Sequence, residues 1–258
     1  MYGGYTNQQE SVERVKSIID HDYPIDGYWI DSWFWNYTNG GRGPEGYMNF
    51  TGDTIAFPNP GRMWGEMQKL NVKGGIWVWD IINKDGNEKV FSEFEKAGAF
   101  EKVFPNKSGW HNYGSKSVAG QINLTDSASV HYFQQRLKPL FDQGLDFLKL
   151  DRNPGVPFGK ACFEAIQKYG KETTGRAFIM QHVGDLTDPD HKKYPGKWTG
   201  DSEIAWTLPE FPNSANSTMG GLTQNIEMVA WPKRFQYEVP FLTHDGGGIS
   251  HYWLPRFW

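Results

Sequence analysis

The sequence predicts an α/β fold of the (β/α)8 TIM barrel class, and three observations carry that prediction. Short runs rich in β-branched and aromatic residues recur along the chain, with helix-patterned segments between them. Several of these runs are apolar throughout, as parallel strands covered on both faces must be. The 258 residues, 38% hydrophobic, are enough for one barrel, and no linker, internal repeat or low-complexity tract divides them. A series this long favours a barrel over an open sheet, so residues 1–258 read as a single barrel domain.

In chain order, ESVERVKSIIDHD sets Val12, Val15, Ile18 and Ile19 on one helical face and leads into the strand run DGYWID, residues 26–31. PGRMWGEMQKL follows with Met63, Met67 and Leu70 at helical spacing, then GGIWVWDII, residues 74–82. VAGQINL, residues 118–124, is the next strand run. After it SASVHYFQQRL repeats the helical spacing at Val130, Phe133 and Leu137, with Asp126 as its cap. DFLKLD, residues 146–151, precedes the helix GKACFEAIQKYGKE, whose Cys162, Ile166 and Tyr169 share one side; Cys162 reads as core. AFIMQHV, residues 177–183, and VPFLTHD, residues 239–245, are the last strand runs. The stretches 184–197 and 209–221, heavy in Pro, Asn, Asp or Gly, read as loops after strands.

Composition removes several function classes. A formal net charge of -4, a pI near 6.0 and the lack of any Lys/Arg run leave no electrostatic footprint for nucleic acid. A single cysteine, Cys162, cannot make an internal disulfide or a thiolate zinc cluster, and no His/Asp/Glu spacing matches a recognised metal motif; neither metal nor cofactor is expected. No stretch of 18 consecutive apolar residues occurs, and the opening MYGGYTNQQE is not a charged-then-apolar signal, so no membrane partner is expected. Asn36, Asn49, Asn106, Asn123 and Asn216 each fit N-x-S/T, which would suit a glycosylated protein and a secreted or periplasmic location.

The chain is 16% aromatic, with 12 Trp, although its mean hydropathy is -0.64. Part of that surplus fills a core with polar tips at its edge; the rest suits a cleft that stacks on flat faces, and the charge speaks for sugar rings over nucleobases. Several of the predicted strands close on carboxylates: Asp31 after GYWI, Asp80 after IWVW, Asp151 after FLKL and Asp245 after FLTH. One such acid is ordinarily a helix cap or turn former. Together, on the face where a parallel barrel gathers its strand ends, and flanked by tryptophans in WIDSWFW, WVWD and KWTGD, they form an acidic cup with indole walls. Carboxylates accept from sugar hydroxyls and aromatic faces cover sugar C–H surface, so a carbohydrate is the expected partner.

The order WIDSWFW, FPNPGRMWGEMQKLNVKGGIWV, GLDFLKLDRN, GRAFIMQHVG, GKWTGDSEIAW and VPFLTHDGGG resembles the catalytic barrel of glycoside hydrolase family 31, from about Tyr5 to Gly248. The resemblance implies a retaining α-glycosidase that acts on α-linked oligosaccharides or small α-glycosides. It makes Asp151 the nucleophile and Asp201 the general acid/base; Asp31, Trp198 and Asp245 match positions that bind the sugar of the first subsite, and Asp80 matches another. Retaining chemistry needs one ionised carboxylate and one protonated carboxyl about 5 to 5.5 Å apart. Arg152 or Lys149 could hold Asp151 ionised, and Lys149 could equally belong to a barrel-interior ion pair.

The departures are also informative. The family continues its nucleophile strand as D-M-N-E, where this chain has Asp151, Arg152, Asn153 and Pro154. It places an arginine where AFIMQHV has His182, a position that helps bind the hydroxyls near carbon 2, so a substituted sugar could be admitted or the site weakened. Members also carry β-sandwich and β-domains around the barrel, and an eighth strand ending in histidine; the sequence ends at HYWLPRFW, about where the lead-in to that strand is expected. The expectation is therefore a barrel of about seven strands whose remaining segment or flanking domains belong to a longer protein. A transglycosylase of the same chemistry and a non-catalytic sugar-binding barrel are the alternatives.

Overall fold

The computed structural model describes residues 2–4, 6–39, 46–105, 118–151, 155–170, 177–182, 188–194, 196–202 and 241–246. The chain divides into two compact units, Met1–Leu150 with Pro157–Phe178, and Asp151–Val156 with Ile179–Trp258.

In the first unit β1 (Tyr2–Gly4), β2 (Gly27–Ile30), β3 (Lys73–Val78) and β7 (Phe147–Leu150) pair in parallel in the order β1-β2-β3-β7. Strands β2 and β7 are buried at every position, which explains why their sequences are apolar runs and not alternating ones. The glycines of KGGIWV make room for the layers on either side of β3. A Cβ on Gly74 would lie 2.2 Å from the Trp64 ring, and one on Gly75 would lie 2.4 Å from the Phe147 ring.

The helices α1 (Gln8–Asp20), α3 (Pro60–Lys69), α5 (Ser127–Asp142) and α6 (Val156–Tyr169) bury the faces their spacing marks: Val12 and Val15, Met63 and Met67, Phe133 and Leu137, Cys162 and Ile166. A single turn, α2 (Trp33–Asn36), follows β2. The starts of the longer helices are specified locally. Asn7 and Glu10 form a capping box on α1, Asn59 accepts from Arg62 N ahead of Pro60, and Asp126 accepts from Ser129 N as expected. Ile18, Ile19, Leu70, Val130 and Tyr169, at the margins of those faces, are only half-buried.

Two strand expectations are corrected here. The run 74–82 is not one strand: it breaks at Trp79 and Asp80, and Ile81–Asn83 forms β4. The run 118–124 is not a parallel barrel strand. As β6 (Val118–Ile122) it lies between β4 and β5 (Phe100–Pro105) in an antiparallel sheet of three, beside α4 (Glu88–Lys96). An apolar run reports burial on two faces, and antiparallel pairing under a cover buries a strand as well as a barrel does. The strand β1 has no counterpart among the sequence expectations, because YGG has too little side chain to signal burial and is held by its backbone pairing with β2.

In the second unit β8 (Ile179–His182), β9 (Gly196–Ser202) and β10 (Phe241–Gly246) pair in parallel, with the single-turn α7 (Pro189–Lys192) between β8 and β9. Register is regular from Gln181↔Lys197 to His182↔Trp198. It then shifts: from Thr243↔Trp198 to Asp245↔Asp201, β10 advances two residues and β9 three. The additional residue in β9 is a bulge, which resets the alternation so that backbone position 201 falls in phase with 198 and not with 197.

Candidate active site

In the first unit, the C-terminal end of β2 delivers Asp31 and the next parallel strand delivers Asp80. Asp31 Oδ2 receives Lys149 Nζ at 2.8 Å and Trp29 Nε1 at 3.1 Å, while Ser32 N donates to Oδ1 at 2.7 Å. The Lys149 ammonium, itself 2% exposed, also lies 5.1 Å from the Trp29 ring centre. Burial pushes the Asp31 carboxyl up, but the Lys149 charge and the donors from Lys149, Ser32 and Trp29 outweigh it and hold the group below the usual carboxylate range. Of the two sequence readings of Lys149, the interior ion pair is therefore seen, with Asp31 as partner. Arg152, the other cation considered beside Asp151, lies outside the described residues.

Asp80 is fully buried and accepts from Gln121 Nε2 at 3.1 Å, a donor brought in by β6. Its charge, after burial itself, is the second cause that pushes the Cys162 thiol well above its ordinary value, so Cys162 is an inert core group as expected. Beside Asp80, Trp77, Trp79 and Tyr47 form a cluster with ring centres 5.1 to 5.4 Å apart. Tyr47 also donates to Ser32 Oγ at 3.1 Å, which joins this aromatic wall to the residue after Asp31. Sequence reasoning passes over Tyr47, since nothing in GYMNF signals that a loop residue returns to the strand ends.

Asp151 is the first residue after β7 and is partly buried. In the second unit, His182 at the end of β8 and Trp198 within β9 are Cα partners, their rings 4.8 Å apart and 74° inclined, with Trp198 only 2% exposed. The backbone positions of Asp201 and Asp245 are likewise direct partners across β9 and β10. Two acids 44 residues apart in sequence are thus placed side by side by strand register. Among the described residues no group of three or more His, Cys, Asp or Glu could hold a metal ion, and no helix is long and apolar enough to cross a membrane. A cavity of about 730 Å³ between α1 and α3, lined by Gln8, Glu13, Tyr37, Ile55, Arg62 and Glu66 among others, contains none of these acids.

The sequence model of the glycosyl hydrolases family 31 TIM-barrel domain matches residues 1–181. Alpha-xylosidase XylQ of Lactiplantibacillus pentosus is 26% identical over 151 residues, which are 57% of this chain and 18% of that protein. Alpha-glucosidase 2 of Bacillus thermoamyloliquefaciens is 22% identical over 235 residues, 78% of this chain and 28% of that one. The crystal structure of an alpha-xylosidase from Xanthomonas citri superimposes with a TM-score of 0.70 at 14% identity, covering 96% of this chain and 28% of that chain. This chain therefore spans less than a third of the length of the relatives it matches.

Proposed function

The chain belongs to glycoside hydrolase family 31, and its fold is that family's (β/α)8 barrel in incomplete form; from this membership we propose a retaining α-glycoside hydrolase acting on α-linked oligosaccharides or small α-glycosides. The ionised Asp151 attacks the anomeric carbon as the glycosidic C–O bond breaks, and Asp201 gives its proton to the departing oxygen. The covalent glycosyl-enzyme is then opened by water, whose proton returns to Asp201 and whose hydroxide attacks the anomeric carbon, with net retention. Sugar binding is assigned to Asp31 and Asp80 in the first unit and to His182, Trp198 and Asp245 in the second.

The observation that supports this reading most is β7. It runs buried from Phe147 to Leu150 and releases Asp151, partly exposed, at its C-terminal end, where a barrel carries its chemistry. The Lys149–Asp31 pair adds to it, because a carboxylate held ionised beside a tryptophan is built to accept from sugar hydroxyls. Activity of the purified chain and of its Asp151→Asn variant on aryl α-xylosides and α-glucosides tests the proposal. The expected result is a loss of at least about 10³-fold with an unchanged circular dichroism spectrum. Turnover within tenfold of the parent would remove Asp151 as nucleophile.

A further inference from the structure

On the face of β8 and β9 opposite His182 and Trp198, the partners Gln181 and Lys197 are each 1% exposed. Lys197 Nζ donates to His191 O at 2.9 Å, to Gln181 Oε1 at 3.2 Å and to Tyr194 O. Gln181 in turn donates through Nε2 to Gly155 O at 3.1 Å, four residues beyond Asp151. One ammonium and one amide therefore fasten together the segment after the proposed nucleophile, the strand ending in His182, the turn following α7 and the strand containing Asp201.

All three of these acceptors are neutral. A charge buried among neutral oxygens costs stability, and burial lowers the pKa of Lys197 to about 8, which shows how unfavourable the environment is for an ammonium. A methionine would fill the same space without that cost. What methionine cannot do is donate in three directions, to a strand, a helix and a turn at once. The attachment sits one residue before Trp198 and just ahead of the bulge that sets the phase of position 201, where a slip by one residue would carry the acid to the other face.

Resting on the family 31 reading above, we infer that Lys197 is a positioning residue: it anchors β9 from behind so that Asp201 stands in fixed register for proton transfer. The role is geometric, and Lys197 itself touches no sugar. Its effect should therefore scale with how much the reaction needs the acid.

Lys197→Met and Gln181→Met in the full chain test it by two measurements. In Lys197→Met, amide hydrogen exchange over 188–202 should quicken about tenfold or more while peptides over 73–83 remain as in the parent, and Gln181→Met should show a smaller change of the same kind. On substrates, Lys197→Met should reduce kcat for a natural α-linked disaccharide about tenfold or more beyond its effect on an activated aryl α-glycoside, since general acid catalysis contributes roughly 10²- to 10⁴-fold where the leaving group is poor. Unchanged exchange in both variants would overturn the anchoring, and equal losses on both substrates would overturn its link to Asp201. A parent chain that cleaves no α-glycoside, with exchange altered as expected, would instead sink the family-level activity while leaving the anchor in place.

Discussion

Lys149 Nζ lies 2.8 Å from Asp31 Oδ2, which ties together two residues 118 positions apart, one on β7 and one at the end of β2. The ammonium is 2% exposed and the carboxylate 20%. Removing one partner of such a pair leaves the other charge in a poor solvent, a larger loss than the pair's net worth. Asp31→Asn should destabilise the chain by about 3 kcal/mol, at the low end of what breaking a buried pair costs because Asp31 retains some solvent. Lys149→Met in the same background should recover part of it. The folded carboxyl lies below its unfolded value of about 3.9, so its contribution is fully present above that pH and lost as pH falls through the folded value. Denaturant melts of parent and Asp31→Asn should show a constant gap from pH 7 to about pH 5 that closes in stronger acid. A gap that widens on acidification would contradict the pairing.

Asp201→Ala should divide substrates by leaving group. Activated aryl α-glycosides need little protonation and should still form the glycosyl-enzyme, whereas natural α-linked sugars should be nearly inert. Azide needs no general base, so it should restore turnover of the activated substrate and yield an α-glycosyl azide. Equal losses on both kinds of substrate, without azide product, would make Asp201 a binding residue and turn attention to Asp245, its partner in register.

His182 stands against Trp198 at 4.8 Å, in the position where the family is expected to carry an arginine. A shorter, titratable side chain there should leave space near carbon 2 of the sugar. A panel of aryl α-glycosides should show 2-acetamido or 2-deoxy sugars cleaved within about tenfold of the plain α-glucoside, a difference of the size that a single pocket contact makes. Preference for the plain sugar by a hundredfold or more would be the opposite result.

Gly75→Ala places a methyl 2.4 Å from the Phe147 ring in the layer beneath the acids, and should cost about 1–3 kcal/mol, the usual penalty of an overpacked core. Gly65, inside α3 and with nothing within 4 Å of where a methyl would stand, provides the contrast: Gly65→Ala should stabilise by about 0.5–1 kcal/mol through helix propensity. Thermal melts of the two variants moving in the same direction would refute the steric account.

Much of this molecule could be read before its coordinates. The Asp126 cap, the buried faces of α1, α3 and α5, and the apolar strands that deliver Asp31, Asp80 and Asp151 depend on side chains within a few residues of each other, and near-neighbour chemistry is written directly in sequence order. The tertiary structure decided what remained. It broke the run 74–82 at Asp80, turned β6 into the centre of an antiparallel sheet, gave Lys149 to Asp31, and put a bulge in β9 that brings position 201 opposite Asp245. Strand direction and register are chosen by backbone N–H and C=O groups that are the same for nearly every residue, and a buried cation takes whichever distant acceptor the packed strands present; neither choice leaves a periodic trace along the chain.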